Sequence, residues 1–241
     1  MRIITFGKET IPYELIWSNK RKTVGVAVKK DRIYITAPEG TAVETIDQIV
    51  KEKMPWIRKQ LQENEEVQGE RIESQFLSGE KLPYLGREYR LKVHKGTNGT
   101  TPTFRFYQGK FYAAVPRSLP EEQYREMLYP LYKEWITKKG TKFIQERIPR
   151  FTLKLQEEPI AVQIREQKQR WGSCTPTGKI LLNWHVFLAQ TSVIDYVLAH
   201  ELAHLKHLNH SYEFWSTVKM LLPNYEEKKE WLRINGKKLY V

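Results

Sequence analysis

The chain has 241 residues, of which 40% are hydrophobic and 12% aromatic, so it can bury one large core or two modest ones and is not expected to be disordered. It has no run of eighteen apolar residues, which argues against a membrane partner. Its single cysteine, Cys174, excludes an intrachain disulfide and favours the reducing cytoplasm. The formal charge of +12 could attract nucleic acid, an anionic surface or an acidic partner, but the basic residues are scattered and do not decide between these.

The first 62 residues predict a sheet followed by a helical segment. The runs "IPYELIW", "TVGVAVKK" and "RIYITAP" alternate apolar and polar residues, which predicts a small antiparallel sheet. Residues 42–62 change to helical spacing, and Pro55 predicts a kink or the first turn of a second helix. The polar residues 63–75 are interpreted as a loop.

The β pattern then returns and is followed by a long helix. The stretches "KLPYLGREYRLKVH", "TFRFYQ" and "KFYAAVP" predict further strands, so residues 1–118 are assigned to one N-terminal β-rich module. Helical spacing from Pro120 to about residue 147, with Pro130 as a kink, opens a second domain at residues 119–241. We find no internal repeat in the sequence.

The rest of the second domain mixes strands and helices, so we predict an α+β fold. Strands are expected at residues 160–166 and 180–189, on either side of a turn region at 170–179. A helix is expected over 191–207, with Thr191 or Ser192 as its N-cap, and two short helices follow on either side of Pro223.

Four of the six histidines lie between residues 200 and 210, in "HELAHLKHLNH". His200 and His204 are four apart on the predicted helix, so their side chains project from one side, about 6 Å apart, and can reach one ion. Two imidazoles suit zinc. Glu201 follows His200 and can approach a water on the ion without binding the metal, as in the H-E-x-x-H motif of zinc peptidases. The alternative is that these are surface or structural histidines of an amphipathic helix.

A catalytic zinc needs a third protein ligand, and two histidines compete for this role. His207 lies about 10 Å along the helix axis from His200, so three ligands on one straight helix could not surround an ion. His210 can reach the ion if the helix stops near residue 207, and Asn209 tolerates the left-handed conformation that often ends a helix. We therefore favour His210, with His207 as second choice.

These motifs together resemble a known family. The stretch "RWGSC" (170–174), the strand "ILLNW" and the helix "VLAHELAHLKHLNHSYEFW" are similar to those of the YgjP-like metal-dependent hydrolases, relatives of the SprT-like and WLM zinc metallopeptidases. The resemblance implies a small zincin-like metallopeptidase domain in which His200, His204 and His210 bind one zinc and Glu201 is the general base. The spacing of His200 and His210 also matches the metzincin motif, but His207 stands where that motif has glycine.

The predicted activity is zinc-dependent hydrolysis of peptide bonds, with Glu201 moving the proton of the attacking water to the leaving amine. A protein or peptide substrate could add as a strand to residues 180–184. The alternative is a basic nucleic-acid-associated module with a structural zinc, or a protease recruited to DNA-bound proteins, as the relatives imply. The oligomeric state stays open.

Other residues near these motifs are weaker candidates. Arg170 and Trp171 could shape a substrate cleft, and Tyr212 could stabilise an oxyanion. Cys174 is most simply a buried thiol, with a latent zinc ligand and a redox-sensitive group as alternatives.

Overall fold

The chain forms two compact units, Met1–Glu70 and Arg71–Val241, each with a buried core of its own. The computed structural model describes residues 2–6, 9–29, 32–66, 73–97, 99–167 and 170–240. Among the helices of these described residues, none has the length and apolar character that a membrane crossing requires. The mixture of sheets and helices confirms the predicted α+β fold class.

A four-stranded sheet begins the first unit. Its order is β1-β2-β4-β3, in which the outer pairs are antiparallel, as predicted. The central pair, β2 with β4, is parallel, which corrects the expectation of a purely antiparallel sheet. The reason is that β3 lies outside β4, so the chain reverses twice before it returns beside β2. The strands are β1 (Arg2–Phe6), β2 (Glu9–Ser18), β3 (Gly25–Lys29) and β4 (Arg32–Pro38).

Two helices cover one face of this sheet. Helix α1 (Val43–Glu52) and helix α2 (Met54–Glu66) meet at Lys53. Pro55 lies in the first turn of α2, where its missing N–H breaks no helical hydrogen bond. It therefore begins a second helix, which was one of the two predictions, and does not kink a single one. Helix α2 extends into the predicted loop 63–75, of which residues 67–72 lie outside the described part. The core contains Tyr13, Ile33, Ile35, Ala37, Ile46, Val50, Met54 and Ile57.

The second unit begins with a sheet of the same topology. Its order is β5-β6-β8-β7, with a parallel central pair and antiparallel outer pairs. "RIYITAP" in β4 and "KFYAAVP" in β8 therefore occupy equivalent strands of the two sheets, which we call structural repeats because they share strand order. The strands are β5 (Lys81–Tyr84), β6 (Arg87–Lys95), β7 (Thr103–Tyr107) and β8 (Lys110–Val115).

Helix α3 (Tyr124–Leu155) packs against this sheet. A short 3-10 helix, Glu121–Gln123, precedes it, and α3 continues through Pro130 and Pro149, beyond the predicted end near residue 147. The boundary predicted between residues 118 and 119 lies inside the second unit, because the sheet and α3 share one apolar core. That shared core includes Leu91, Phe111, Val115, Leu128, Tyr132 and Ile136.

A three-stranded sheet follows, in the order β10-β11-β9. Strand β11 lies in the centre, parallel to β9 and antiparallel to β10. Strand β10 falls in the region predicted as a turn. The strand predicted to reach residue 189 ends at Asn183, whose side-chain oxygen accepts the His185 N–H and caps a 3-10 helix, Trp184–Leu188. The strands are β9 (Ala161–Arg165), β10 (Gly172–Cys174) and β11 (Lys179–Asn183).

Three helices and a short 3-10 helix complete the unit. The N-cap of α4 is Gln190, not Thr191 or Ser192, and it makes no side-chain capping bond. The two helices expected around Pro223 are present. The helices are α4 (Thr191–Ala203), α5 (Tyr212–Leu221), α6 (Tyr225–Asn235) and the 3-10 helix Gly236–Leu239.

Candidate metal centre

Helix α4 carries the first two histidines at its C-terminal end. His200 lies in its last turn, and His204 is the residue that caps it. Leu198 and Leu202 on the same helix are fully buried, so the helix is held in the core while its histidine face borders a cavity. The apolar spacing of "VIDYVLAHELA" therefore fixes the direction in which His200 and His204 project.

The chain turns directly after His204. Tight turns follow, in which the N–H groups of Leu205 and Lys206 donate to the carbonyls three residues earlier, at 3.0 and 3.1 Å. Asn209 is not among the described residues with a positive φ, which corrects the proposed left-handed stop. Ser211 then caps α5 by accepting the Phe214 N–H, so His210 is held between a turn and a new helix.

Three of the four clustered histidines come together. The possible ligand atoms of His200, His204 and His210 all lie within 4.8 Å of one another. The Nε2 atoms of His200 and His210 are 3.1 Å apart. The His207 ring is not part of this cluster, but its backbone carbonyl accepts a 2.9 Å hydrogen bond from His204 Nδ1. Because a carbonyl can only accept, that bond leaves the Nε2 lone pair of His204 available to an ion.

Phe214 lies against all three imidazoles, a contact that sequence reasoning missed. Its side chain is 0% exposed, and its ring centroid is 4.9 Å from that of His200, 4.5 Å from that of His204 and 4.7 Å from that of His210. The signal was its position four residues after His210, behind a serine that can cap a helix. Phe214 restricts the orientation of the three rings.

Burial favours the uncharged forms of His200 and His210. Burial lowers the pKa of His200 to about 3, helped by the positive charges of His204, His210 and Lys229. Burial also lowers the pKa of His210, with smaller effects from His204 and Lys229. Neutral imidazoles have the free lone pair that metal coordination requires.

Glu201 is a buried carboxyl beside this cluster. It is 5% exposed, and burial raises its pKa to about 8, while the positive charge of Arg170 opposes that shift. Gly172 makes room for it, because a Cβ atom at residue 172 would lie 2.7 Å from both Cγ and Oε1 of Glu201. Sequence reasoning predicted the place of Glu201 but not its contact with strand β10.

A cavity of about 600 Å³ opens over the histidines and Glu201. Residues 170–174 form one wall, so the structure brings the predicted Arg170 and Trp171 to the cavity, together with Cys174. Tyr212 is not among the lining residues and is 83% exposed. Tyr196, which the sequence analysis did not consider, does line the cavity. It lies one helical turn before His200, and that spacing was the signal that could have found it.

Asn183 holds the loop that carries Arg170 and Trp171. This fully buried residue donates from Nδ2 to the carbonyls of Gln167 and Arg170, at 2.7 and 2.9 Å, and its backbone N–H donates to the Trp171 carbonyl. Its Oδ1 accepts from His185 Nδ1 at 3.1 Å. A buried polar group must find such partners, so Asn183 ties the cavity wall to the core.

A comparison with protein families identifies the domain. The family model of the YgjP-like metallopeptidase domain matches residues 22–235. The chain belongs to the YgjP-like family. As a YgjP-like protein it is similar to a solved structure described as the metallopeptidase zymogen of Pyrococcus abyssi abylysin, with 28% identity over 39% of this chain and 93% of that one and a TM-score of 0.35. The search of curated proteins found no match.

Membership of this family makes the protein a metal-dependent hydrolase with a protein substrate, and it implies a divalent metal. The histidine cluster fits such an ion. With zinc–nitrogen bonds of about 2.05 Å and a tetrahedral angle, two ligand nitrogens would be about 3.3 Å apart. The observed separation of 3.1 Å between the Nε2 atoms of His200 and His210 is close to that value.

Proposed function

We propose that this YgjP-like protein is a zinc metallopeptidase, with His200, His204 and His210 as ligands and Glu201 as general base. The observation that carries the proposal is the close grouping of three imidazoles, whose possible ligand atoms lie within 4.8 Å of one another, in the lining of a cavity that also contains a buried carboxyl. Three protein ligands leave the fourth position of a tetrahedral ion for water or substrate.

The residues divide the chemistry between them. Zinc bound there would lower the pKa of a bound water toward 7 and polarise the scissile carbonyl. The positive charge of such an ion would add to that of Arg170 and favour the ionised form of Glu201, against the effect of burial on its pKa. The Glu201 carboxylate then accepts the proton of the attacking water and delivers it to the nitrogen of the leaving amine. Phe214 and the His207 carbonyl hold the imidazoles in their ligating orientations, as supporting groups do at metal sites.

Strand β10 offers the substrate an edge. The strand at residues 180–184 was expected to do this, but β11 is paired on both sides and has no free edge. On either side of β10, the Trp171 carbonyl accepts from Asn183 and the Thr175 N–H donates to Lys179. Because the main-chain groups of successive strand residues point to opposite sides, those of Gly172 and Cys174 point away from β11. An extended peptide would pair with those two residues, which also line the cavity.

Tyr196 is the better candidate for stabilising the oxyanion. Its side chain lines the cavity, whereas that of Tyr212 does not. Loss of one such donor lowers kcat by about 100-fold or more. We expect this fall for Tyr196→Phe and no change for the matched Tyr212→Phe; equal activity of both variants would remove Tyr196 from the mechanism.

The test of the function is cleavage of a peptide library, followed by mass spectrometry, with the wild type and Glu201→Gln at equal zinc content. The wild type should cut at peptide bonds with a reproducible preference, a chelator should abolish cutting and added zinc should restore it. Glu201→Gln should keep zinc and lose turnover. If Glu201→Gln cuts as fast as the wild type, Glu201 is not the base and the alternative of a structural zinc is favoured.

A further inference from the structure

The sheet β5–β8 has one buried face and one open face. Leu91, Phe111, Ala113 and Val115 point into the core shared with α3. Their neighbours in sequence project from the opposite face, because side chains alternate along a strand. Val93 and Phe104 also pack against this core, so their neighbours His94 and Arg105 project from the same opposite face. Six outward side chains on three adjacent strands define what we call the basic face: Arg90, Lys92, His94, Arg105, Lys110 and Tyr112.

The basic face has a strong excess of positive charge. Residues 71–241 carry 28 Lys and Arg against 17 Asp and Glu, whereas residues 1–70 carry 12 against 11, so nearly all of the +12 belongs to the second unit. On the outward side of β6, β7 and β8 the described acidic side chain is Glu88, and it lies 3.6 Å from Lys81. Four Lys and Arg side chains of the basic face therefore share the outward side of these strands with one described carboxylate, Glu88, which is paired with Lys81.

An aromatic ring occupies the centre of this charge. In the sheet register Tyr112 lies between Lys92 on β6 and Arg105 on β7. Lys92 Nζ is 6.0 Å and Arg105 Cζ is 5.7 Å from the centroid of the Tyr112 ring. The His94 ring is parallel to it within 5°, at 6.2 Å. Tyr107, at the end of β7, is 59% exposed.

We propose that the basic face binds single-stranded nucleic acid. Proteins that bind single strands without sequence preference combine cations that follow the phosphates with aromatic rings on which bases stack. Lys92 and Arg105 supply cations on both sides of Tyr112, one strand spacing of about 4.8 Å away. Stacking on the Tyr112 ring requires an unpaired base, which a duplex or a polyanion without bases does not offer. We therefore expect the basic face to prefer single strands.

The structural repeat in the first unit provides an internal control. Tyr34 of "RIYITAP" is the counterpart of Tyr112 of "KFYAAVP". Its register partners are Glu14 on β2 and Ala27 on β3, in place of Lys92 and Arg105. The register partners of this tyrosine therefore differ between the two sheets.

The basic face is separate from the proposed peptidase site. None of its six residues lines the cavity over the histidines. Nucleic acid binding should therefore persist in Glu201→Gln and in the presence of a chelator, so failure of the peptidase proposal would leave this one standing.

The experiment measures fluorescence anisotropy of a labelled oligothymidylate of about 16 nucleotides, with the full chain. Tyr112→Ala should weaken binding by about 10-fold, while Tyr34→Ala leaves it unchanged. The double variant Lys92→Gln with Arg105→Gln should bind more weakly and reduce the slope of log affinity against log salt by about 1.4 units, since each cation contributes about 0.7 on a single strand. Lys142→Gln controls for the loss of a positive charge, because Lys142 lies on α3 and its side chain is exposed.

Competition identifies the class of ligand. A duplex of the same sequence and dextran sulfate, a polyanion without bases, should compete less well than unlabelled oligothymidylate at equal charge concentration. Equal competition, equal binding by Tyr112→Ala and the wild type, or no binding by the wild type would each overturn the proposal. Thermal unfolding checks every variant, and if Tyr112→Ala does not fold, Tyr112→Leu replaces it because leucine keeps most of the volume without the ring.

Discussion

At the residue scale, the candidate site depends on close contacts with atoms outside the H-E-x-x-H motif. The motif predicts His200, Glu201 and His204 because helical spacing is a local property of the chain. The contacts of Phe214 with the imidazoles and of Gly172 with Glu201 join residues that are distant from the motif or on another element. Nothing in the local sequence requires the Gly172 contact, so it could not be predicted, whereas the position of Phe214 four residues after His210 was a signal that sequence reasoning missed.

Gly172→Ala should lower peptidase activity without removing the metal. The added Cβ would lie 2.7 Å from Glu201 Cγ and Oε1, so the carboxylate must move, and such a displacement can reduce kcat by about 100-fold. Zinc content and kcat are the measurements. Gly99→Ala is the control, because a Cβ at Gly99 meets no atom within 4 Å. Wild-type kcat in Gly172→Ala would mean that Glu201 is not the proton carrier.

At the scale of elements, helices were predicted better than strands. Helices α5 and α6 were predicted to within about one residue at each end, whereas α4, predicted to reach residue 207, ends at Ala203 because the chain turns at His204. Strand β10 has three residues, too few for a period, and β11 ends early because the side chain of Asn183 caps the following 3-10 helix. The parallel pairs β2–β4 and β6–β8 depend on long-range pairing, which strand patterns do not reveal.

Cys174→Pro should weaken peptide binding if β10 is the substrate edge. Proline removes the outward N–H of Cys174 and is tolerated in an edge strand. Cys174→Ala removes the thiol but keeps the N–H, so it is the matched control. We expect a raised KM with kcat nearly unchanged for proline, and both constants unchanged for alanine. Equal KM values in the two variants would show that the peptide does not pair with this edge.

At the scale of the whole molecule, the two structural repeats differ in net charge. Their sheets share strand order, but the second repeat continues into α3 and the remaining elements that carry the histidines. We found no repeat in the sequence read alone, and the likeness of the two sheets is visible in their topology.

Residues 71–241 should fold without the first unit. Their core is built from residues 76–239, and the histidine cluster and its cavity lie within the same range. The truncated chain should show a cooperative thermal transition and bind zinc as the full chain does. A truncated chain that is unfolded, or folded without zinc, would show that the second unit depends on the first.

The most direct test of the three-histidine site is the zinc content of purified protein, measured by elemental mass spectrometry for the wild type, His210→Ala and His207→Ala. His207 contributes its backbone carbonyl, which alanine retains, whereas His210 contributes a ring nitrogen. The account predicts about one zinc per chain in the wild type and in His207→Ala, and a large loss in His210→Ala. Zinc retained without His210, or lost without His207, would contradict it.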